Sequence, residues 1–279
     1  MRTPKATYLF LWFLFWLSNL SYSQDLFDSI RTREYADYLY QSGSYSEAID
    51  EYERFVDQFF AGEKSRYRLV NSYRRAGLHD KAMLRINELW DNPTTVSPLI
   101  AKEFFALKII NTGTDNLLES INGNTVLSDT EKMFFSSAYL LINDEYNKAH
   151  SILNKNIYPG NAALTSFRQF AVEGMILPRK SPLLSAALSA VIPGTGKFYT
   201  GQWQDGIMAL VMVGTSAWQS YRAFSHSGIK SPYGWVFGTV GAVFYISNIT
   251  GSIKSANRFN KINKERIRIR VQEVFINNI

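Results

Sequence analysis

The sequence contains no cysteine, which excludes a disulfide framework, a thiol nucleophile and a zinc–thiolate site. A lipoprotein anchor is excluded as well, because lipidation requires a cysteine at the cleavage site. Charged residues are also scarce, at 19% of the chain against about 25% in typical soluble domains. The shortfall in charge is not spread evenly along the chain.

Patterns typical of catalytic or metal sites are missing too. The three histidines, His79, His150 and His226, are scattered, and there is no HExxH, GxSxG or apolar pair of carboxylates. Residues 194–197 resemble part of a phosphate-binding loop, but Val191 and Phe198 stand where that loop needs a glycine and a Ser or Thr. We predict a protein without catalytic residues, bound metal or cofactor, and therefore not an enzyme.

Charge divides the chain into two parts. Residues 24–178 hold 16 Lys+Arg and 21 Asp+Glu, a net charge of −5, whereas residues 179–279 hold 12 and 3, a net charge of +9. The bases of the second part flank apolar runs rather than a recognised nucleic-acid motif. The asymmetry predicts contact with a membrane and no binding of nucleic acid.

The first 23 residues have the three parts of a signal peptide. Arg2 and Lys5 precede an apolar run, YLFLWFLFWL, and small residues follow at Ser21 and Ser23. The run is shorter than the ~20 residues that a spanning helix needs. We predict cleavage before Gln24 and export, with an uncleaved anchor as the alternative.

An internal repeat follows the predicted signal peptide. Ala48 and Ala82 lie 34 residues apart, and Ala149 lies 67 residues further along, close to two more periods. The same side-chain sizes recur around each alanine, at twelve residues before it (Ala36, Val70, Ser137), nine before it (Leu39, Tyr73, Leu140) and four after it (Tyr52, Ile86, Leu153). Small or medium residues at the alanine position and twelve residues before it let two antiparallel helices approach closely, and the larger residues fill the groove between them. Residues 24–178 are therefore predicted to form helical pairs.

This frame resembles the tetratricopeptide repeat, and the match is carried best by Ala36, Leu39, Gly43, Tyr45, Ala48, Tyr52 and Phe55. Residues 65–90 and 131–153 form further units, 101–121 is degenerate with Asn116 in place of the alanine, and 164–173 is predicted to cap the array. The resemblance implies a solenoid with a binding face. The predicted protein-binding residues are Tyr38, Tyr45, Tyr52 and Tyr73; a spacer without a partner is the alternative.

Residues 179–256 are predicted to be a membrane-embedded hairpin after a break at 178–182. Residues 183–192 form an apolar helix too short to span, and 206–224 and 233–253 are the spanning candidates. Gly234, Gly238 and Gly241 share one face and are expected to pack against Gly214 and Ala217. A buried hairpin of a soluble protein is the alternative.

The segment before the hairpin reads as a tight, close-packed bend. It resembles small bacterial membrane domains of the TM2-like kind, and the candidate motif residues are Pro193, Gly194, Gly196, Tyr199, Gly201 and Gly206. Lys197 and Thr200 depart from that pattern, where a glutamine and an asparagine are usual. The pattern is also similar to uncharacterised envelope proteins that join such a domain to tetratricopeptide repeats. The resemblance implies no known reaction.

Residues 257–279 form a basic tail. Residues 266–271 alternate basic and apolar side chains, which indicates either a strand that adds to a partner sheet or an interfacial helix whose arginines contact lipid phosphates. Two spans after an exported repeat domain would leave this basic tail outside the cytoplasm, against the usual preference of positive residues. A re-entrant or crossing segment at 183–199 would change that count.

Together these observations predict an all-α, non-enzymatic scaffold or adaptor of the bacterial cell envelope. Its repeats are expected to bind periplasmic or membrane proteins, with the hairpin embedded in the inner membrane and the repeats in the periplasm. The alternative is a subunit of a transport, secretion or assembly complex whose hairpin oligomerises in the bilayer.

Overall fold

The computed structural model describes residues 28–59, 61–111, 116–155 and 160–279. These residues form helices joined by turns, with no β-strand among them, so the all-α prediction is confirmed for this part of the chain. The predicted signal peptide, residues 1–23, lies outside the described residues. Packing divides the chain into two compact units, one of residues up to 117 with 124–127, the other of residues 118–123 with 128–279.

The first unit consists of successive helices, most of which pack against the next along the chain. Their bounds are α1 Ser29–Ser42, α2 Tyr45–Gln58, α3 Glu63–Arg75, α4 His79–Leu89, α5 Pro93–Val96 and α6 Pro98–Ile110. The helix α3 also contacts α1 and α6. The first helices of successive pairs, α1, α3 and α6, therefore share interfaces, which is the arrangement expected of stacked helical pairs.

The 34-residue frame marks the interior of these pairs. In both units its small positions have no exposed surface, namely Ala36, Ala48, Val70, Ala82, Ser137 and Ala149. The larger positions four residues after each alanine, Tyr52, Ile86 and Leu153, are likewise fully buried. Small side chains thus bring the helices together and large ones fill the groove between them.

The turns inside the pairs repeat one hydrogen-bond pattern. Gly43 and Gly77 have φ of 83° and 77°, and each donates its N–H to the carbonyl three residues earlier while the next residue donates to the carbonyl five earlier. This is the Schellman ending of a helix. Asp144, with φ of 63°, occupies the equivalent position before Ala149 and has the same two bonds.

Polar side chains link the first helices of successive pairs in the first unit. Tyr40 on α1 donates to Asn71 on α3 at 2.8 Å, and Asn71 donates to Glu103 on α6 at 2.9 Å. Glu103 also accepts from Arg74 Nε at 2.6 Å, and both side chains of this ion pair are 4% exposed. A buried pair of this kind fixes the register of α3 on α6, because losing either partner strands a charge.

The second unit contains the remaining helices. They are α7 Leu117–Asn122, whose first residue belongs to the other unit, α8 Asp129–Ile142, α9 Tyr146–Lys155, α10 Ala162–Met175, α11 Pro182–Val191, α12 Thr195–Tyr199, α13 Trp203–Ser227, a 3-10 turn Gly228–Lys230 and α14 Pro232–Asn277. Two of them, α11 and α14, begin with Ser-Pro, in which Ser181 and Ser231 cap the helix through their hydroxyls and proline fixes the first turn.

The 46-residue helix α14 is the spine of this unit. It is about 69 Å long at 1.5 Å per residue, and it contacts α13, then α11 and α12, and finally α8 and α10. Residues 266–271 are part of this helix, so the strand interpretation of the tail is wrong. Ile267, Val271 and Phe275, spaced by four, are buried while Ile269 is 56% exposed, which is helical rather than alternating periodicity.

The basic tail is docked on protein. Arg268 donates to the Ile142 carbonyl at 3.0 Å, and Arg270 lies 2.5 Å from Glu173 and over the ring of Phe170. The ring of Phe275 stacks on that of Phe134. Arg268 and Arg270 therefore have partners within the second unit, and the C-terminal part of α14 covers α8 and α10.

Candidate membrane-embedded surface

The segment between α11 and α13 is a close-packed bend, as the sequence predicted. Gly194 has φ of 93°, and a Cβ there would overlap the carbonyl oxygen of Gly206. At Gly196 a Cβ would overlap the carbonyl oxygen of Ser185, and at Gly206 it would lie 2.8 Å from the Phe198 ring. Glycine is required at these three positions because backbone meets backbone or a ring with no room for a side chain.

The other predicted motif residues surround this bend. Pro193 is half-buried directly before Gly194. Gly201 has φ of 83° and ends α12 with the same Schellman bonds as the repeat turns. The Tyr199 hydroxyl accepts from the backbone N–H of Ser181 at 3.2 Å, and the Lys180 ammonium lies 4.5 Å from the Tyr199 ring centre. The bend is thus tied to the start of α11.

A buried polar seam joins α11, α12 and α14. Ser185 Oγ lies 2.9 Å from the carbonyl oxygens of both Gly196 and Ser252, and the Ser189 and Ser252 hydroxyls lie 2.6 Å apart. Asn248 accepts from the Gly194 N–H at 3.1 Å and donates to the Ser189 carbonyl. Closer to the C-terminal end of α14, the hydroxyls of Thr200 and Ser255 form another pair. The seam is satisfied internally, as polar groups must be where water is excluded.

The large apolar side chains of the same helices point outward. Exposed fractions reach 80% at Leu183 and 81% at Val191 on α11, while Ser185 and Ser189 on that helix are fully buried. The exposed set continues along α13 and α14 with Ile207, Met208, Val211, Met212, Trp218, Val236, Val243 and Ile246. This distribution is the inverse of a soluble protein, which buries large aliphatic residues and exposes serine.

The contact between α13 and α14 uses small residues. Gly234, Gly238 and Gly241 face α13, as predicted, but the side chains opposite them are Phe224, Ser220 and Ser216. The expected partner Gly214 lies on the open side, where a Cβ would meet nothing within 4 Å. Ser220 donates to the Gly234 carbonyl at 2.8 Å. Ser216 and Ser220 of α13 are therefore inside the hairpin.

Within the described residues, α14 is the helix that combines the length and mean hydropathy to cross a membrane, and 11% of its most apolar 18-residue window is buried. A helix at the core of a soluble protein would be mostly buried. The first spanning candidate, now α13, is 25 residues long but does not reach the same hydropathy. Its second half carries Ser216, Gln219, Ser220 and Arg222.

Contacts along α14 show where the other helices run. At the start of α11, Lys180 bonds with Asn260, while near its end Tyr245 donates to the Ala190 carbonyl at 2.7 Å. The chain then turns back, and α12 ends where Thr200 meets Ser255. Measured along α14, residues 183–199 go from the level of residue 260 to that of 245 and return to 255. This segment therefore extends along only part of the hairpin and then turns back.

Of the four tyrosines predicted to bind a partner, one is largely exposed. Tyr38 is 65% exposed and stacks on Tyr35, which is 53% exposed. Tyr52 is fully buried and donates to Asp37. Tyr45 and Tyr73 are half-buried, accepting from Arg75 and donating to Glu53 respectively. Burial raises the pKa of Tyr52 and Tyr73 further above their usual range, so both remain neutral donors.

The three histidines lie apart, and the part of the chain that the structure describes holds no cluster of His, Asp or Glu suited to a metal ion. His79 is at the start of α4, where its Nδ1 is buried without a hydrogen-bond partner. Burial lowers the pKa of His79, and the nearby Arg74 lowers it further against a smaller opposing effect of Asp80.

The polar seam was not anticipated from the sequence. A signal exists, since Ser185 and Ser189 are spaced by four, and Asn248, Ser252 and Ser255 by four and three, in otherwise apolar segments. Such spacing puts polar side chains on one helix face. No protein-family model, curated protein or solved structure matches the chain, so the functional argument depends on this geometry.

Proposed function

We propose that this protein is a non-enzymatic, membrane-anchored scaffold of the bacterial cell envelope. The observation that carries the proposal is the inverted residue distribution of α11, α13 and α14, with serine, asparagine and glycine inside and leucine, valine and isoleucine outside. Association of helices in lipid uses small and hydrogen-bonding residues in this way, because lipid tails already satisfy apolar side chains. The polar seam also needs no water, which suits a bilayer.

A pair of isoleucines on α14 provides the test of embedding. Ile246 is 61% exposed in the apolar part, and Ile269 is 56% exposed in the tail. An aspartate costs about 2.5–3.5 kcal/mol at the centre of a spanning helix. We expect Ile246→Asp to reduce the carbonate-resistant membrane fraction strongly and Ile269→Asp to leave it unchanged. Release of the unmodified protein by carbonate, or equal behaviour of the two variants, contradicts the proposal.

We further propose that the hairpin crosses the membrane twice and that residues 183–199 form a re-entrant segment. The end of α14 packs on α8 and α10, which supports a topology in which the tail and these two helices share one side of the membrane. The predicted signal peptide places that side in the periplasm, with the protein in the inner membrane. Between Glu173 and Glu265 the sequence has one acidic residue, Asp205, so the repeat side of the hairpin is basic. A periplasmic location of this basic side opposes the positive-inside preference.

Cysteine labelling settles the orientation, because the native chain has no cysteine. Ser227→Cys lies at the turn of the hairpin and Asn277→Cys at the end of α14, both exposed. In intact cells with a permeable outer membrane, a membrane-impermeant maleimide is expected to label the second variant and not the first. The reverse result places the repeats in the cytoplasm.

We propose that the repeats belong to the tetratricopeptide type and bind a protein partner through the exposed Tyr35–Tyr38 pair. The two rings stack on each other, and Tyr35 and Tyr38 are 53% and 65% exposed. Exposed aromatic residues are enriched at protein interfaces. A photo-crosslinking amino acid at position 38 is expected to capture a partner in cells, and one at Leu84, which is 61% exposed on α4, serves as the control.

The crosslinking result also decides between the two function classes. Capture of another protein at position 38 above the Leu84 control supports the scaffold. Equal capture at the two positions favours a spacer. Crosslinks only between copies of this chain through α13 favour the alternative, a subunit whose hairpin oligomerises in a transport or assembly complex.

A further inference from the structure

Five basic residues lie within about two turns of α14 around the level where α11 begins. Arg179, Lys254, Arg258 and Lys261 are exposed and Lys180 is half-buried; these five residues are called the basic collar. Lys254, Arg258 and Lys261 are spaced by four and three on α14, so they share one helix face. Arg179 and Lys180 reach the same level because the backbone of Lys180 bonds in both directions with the Asn260 side chain.

The collar has no internal charge compensation. Within the described residues, none of its five members has an acidic group within 4 Å, although three bases further along α14 do have one. Lys264 and Arg268 lie near Asp144, and Arg270 pairs with Glu173. Positive charge at Lys264, Arg268 and Arg270 is therefore neutralised by protein, whereas the charge of the collar is left uncompensated.

The collar also adjoins the outward apolar surface. Exposed Leu183 and Leu184 follow Lys180 directly on α11, and exposed Ile246 precedes Lys254 by two turns on α14. Lys180 is held in place over the rings of Tyr199 and Phe259, 4.5 and 5.7 Å from their centres. A cationic band at the edge of an apolar surface matches the order of a phospholipid, with an anionic phosphate above its acyl chains.

We propose that the basic collar binds the headgroups of anionic phospholipids and so holds the start of α11 at the membrane surface. The inference rests on the proposed embedding of the hairpin. The occupant is a phosphodiester headgroup rather than a protein acid, because the charges stand at the boundary of the surface that lipid tails would cover. Basic residues near a membrane surface contribute about 1 kcal/mol each toward anionic lipid, a factor of about five.

The test uses the full chain in phosphatidylcholine vesicles that contain either spin-labelled phosphatidylglycerol or spin-labelled phosphatidylcholine. Electron paramagnetic resonance measures how much of each lipid is immobilised by the protein, and hence the preference for the anionic one. The collar variant is Lys254→Gln with Arg258→Gln. The matched control is Lys230→Gln with Arg222→Gln, which removes one lysine and one arginine near the turn of the hairpin.

We expect the unmodified protein to prefer phosphatidylglycerol, with the preference reduced at least about fivefold in the collar variant and retained in the control. Higher salt should weaken it, because exposed charges are screened. No preference in the unmodified protein, equal loss in both variants, or collar-dependent capture of an oligonucleotide by the inserted protein overturns the inference. Failure of the unmodified protein to insert, seen as release by carbonate, overturns the proposed function as well and is recognised separately.

Discussion

The carboxylate of Asp144 lies 2.9 Å from the ammonium of Lys264, 120 residues further along the chain. Asp144 occupies the turn position that Gly43 and Gly77 hold in the first two helical pairs, with φ of 63°. One residue therefore ends a helix of the repeats and contacts the tail of the hairpin helix. Its side chain also accepts from the Tyr146 hydroxyl at 3.0 Å.

Substitutions at Asp144 separate the backbone role from the ionic one. Asp144→Ala places an ordinary side chain at positive φ, which costs about 1–2 kcal/mol, and removes the contacts with Lys264. Asp144→Gly removes the same contacts but suits the backbone, and partly exposed ion pairs contribute only about 0–1 kcal/mol. We expect the alanine variant to melt several degrees lower and the glycine variant close to the parent, by circular dichroism in detergent. Equal losses would assign the stability to the ion pair.

Phe275 anchors the end of α14 and should be essential to the second unit. Its ring is 1% exposed and lies 5.4 and 5.9 Å from the ring centres of Phe134 and Phe135. Phe275→Ala is expected to cost about 3–5 kcal/mol through the cavity it leaves. The neighbour Ile276 is 49% exposed, and Ile276→Ala should change stability by less than about 0.5 kcal/mol. Denaturant unfolding in detergent compares them, and equal effects would contradict the docking of the tail.

Gly194 and Gly214 form a matched pair for the bend. Gly194→Ala must relieve an overlap with the Gly206 carbonyl and adopt a φ of 93°, so we expect a loss above about 1–2 kcal/mol. Gly214→Ala enters open space on α13 and should be neutral or slightly stabilising, since alanine favours a helix by about 1 kcal/mol. Hydrogen exchange of residues 185–206 should rise only in the first variant. Unchanged exchange in Gly194→Ala would mean that the bend is not close-packed.

We expect His79 to make the stability of the first unit sensitive to mild acid. Its pKa is lowered in the folded chain by burial and by Arg74, whereas in the unfolded chain it is about 6.5. Below that value the unfolded state binds a proton that the folded state resists, so the free energy of unfolding falls as pH decreases from about 6.5 toward the lower folded pKa. His79→Gln should show a shallower decline over this window, measured as denaturant stability between about pH 7.5 and 5. Parallel profiles would contradict the shift.

The repeat frame was predictable because it is local. The 34-residue spacing, the alanines at the close contacts and the glycines at Gly43 and Gly77 each depend on residues within one helical pair. The close bend at Gly194 and Gly196 was predictable for the same reason. A turn that requires positive φ or a missing Cβ leaves a signature in a few neighbouring residues.

The tail and the polar seam depend on partners far away in the sequence. Residues 266–271 alternate between arginine and aliphatic side chains, and only the position of Phe134 and Glu173 shows that Ile267, Val271 and Phe275 form the buried face. Ser185 and Ser252, joined at 2.9 Å, are 67 residues apart. Sequence spacing also does not show that Gly214 faces outward and Ser216 inward. Both are small residues of α13, and either would suit a close contact between helices.

The continuity of α14 has a mechanical consequence. After Gly251 the chain contains no glycine or proline, so the helix has no hinge between the level of the hairpin and its contacts with α8 and α10. The last 24 residues alone extend about 36 Å, and a tilt of about 10° would displace their far end by about 6 Å, within the range by which spanning helices adjust to bilayer thickness. With the hairpin embedded as proposed, a change in the surrounding lipid that tilts α14 would therefore be transmitted along the helix to its contacts with α8 and α10.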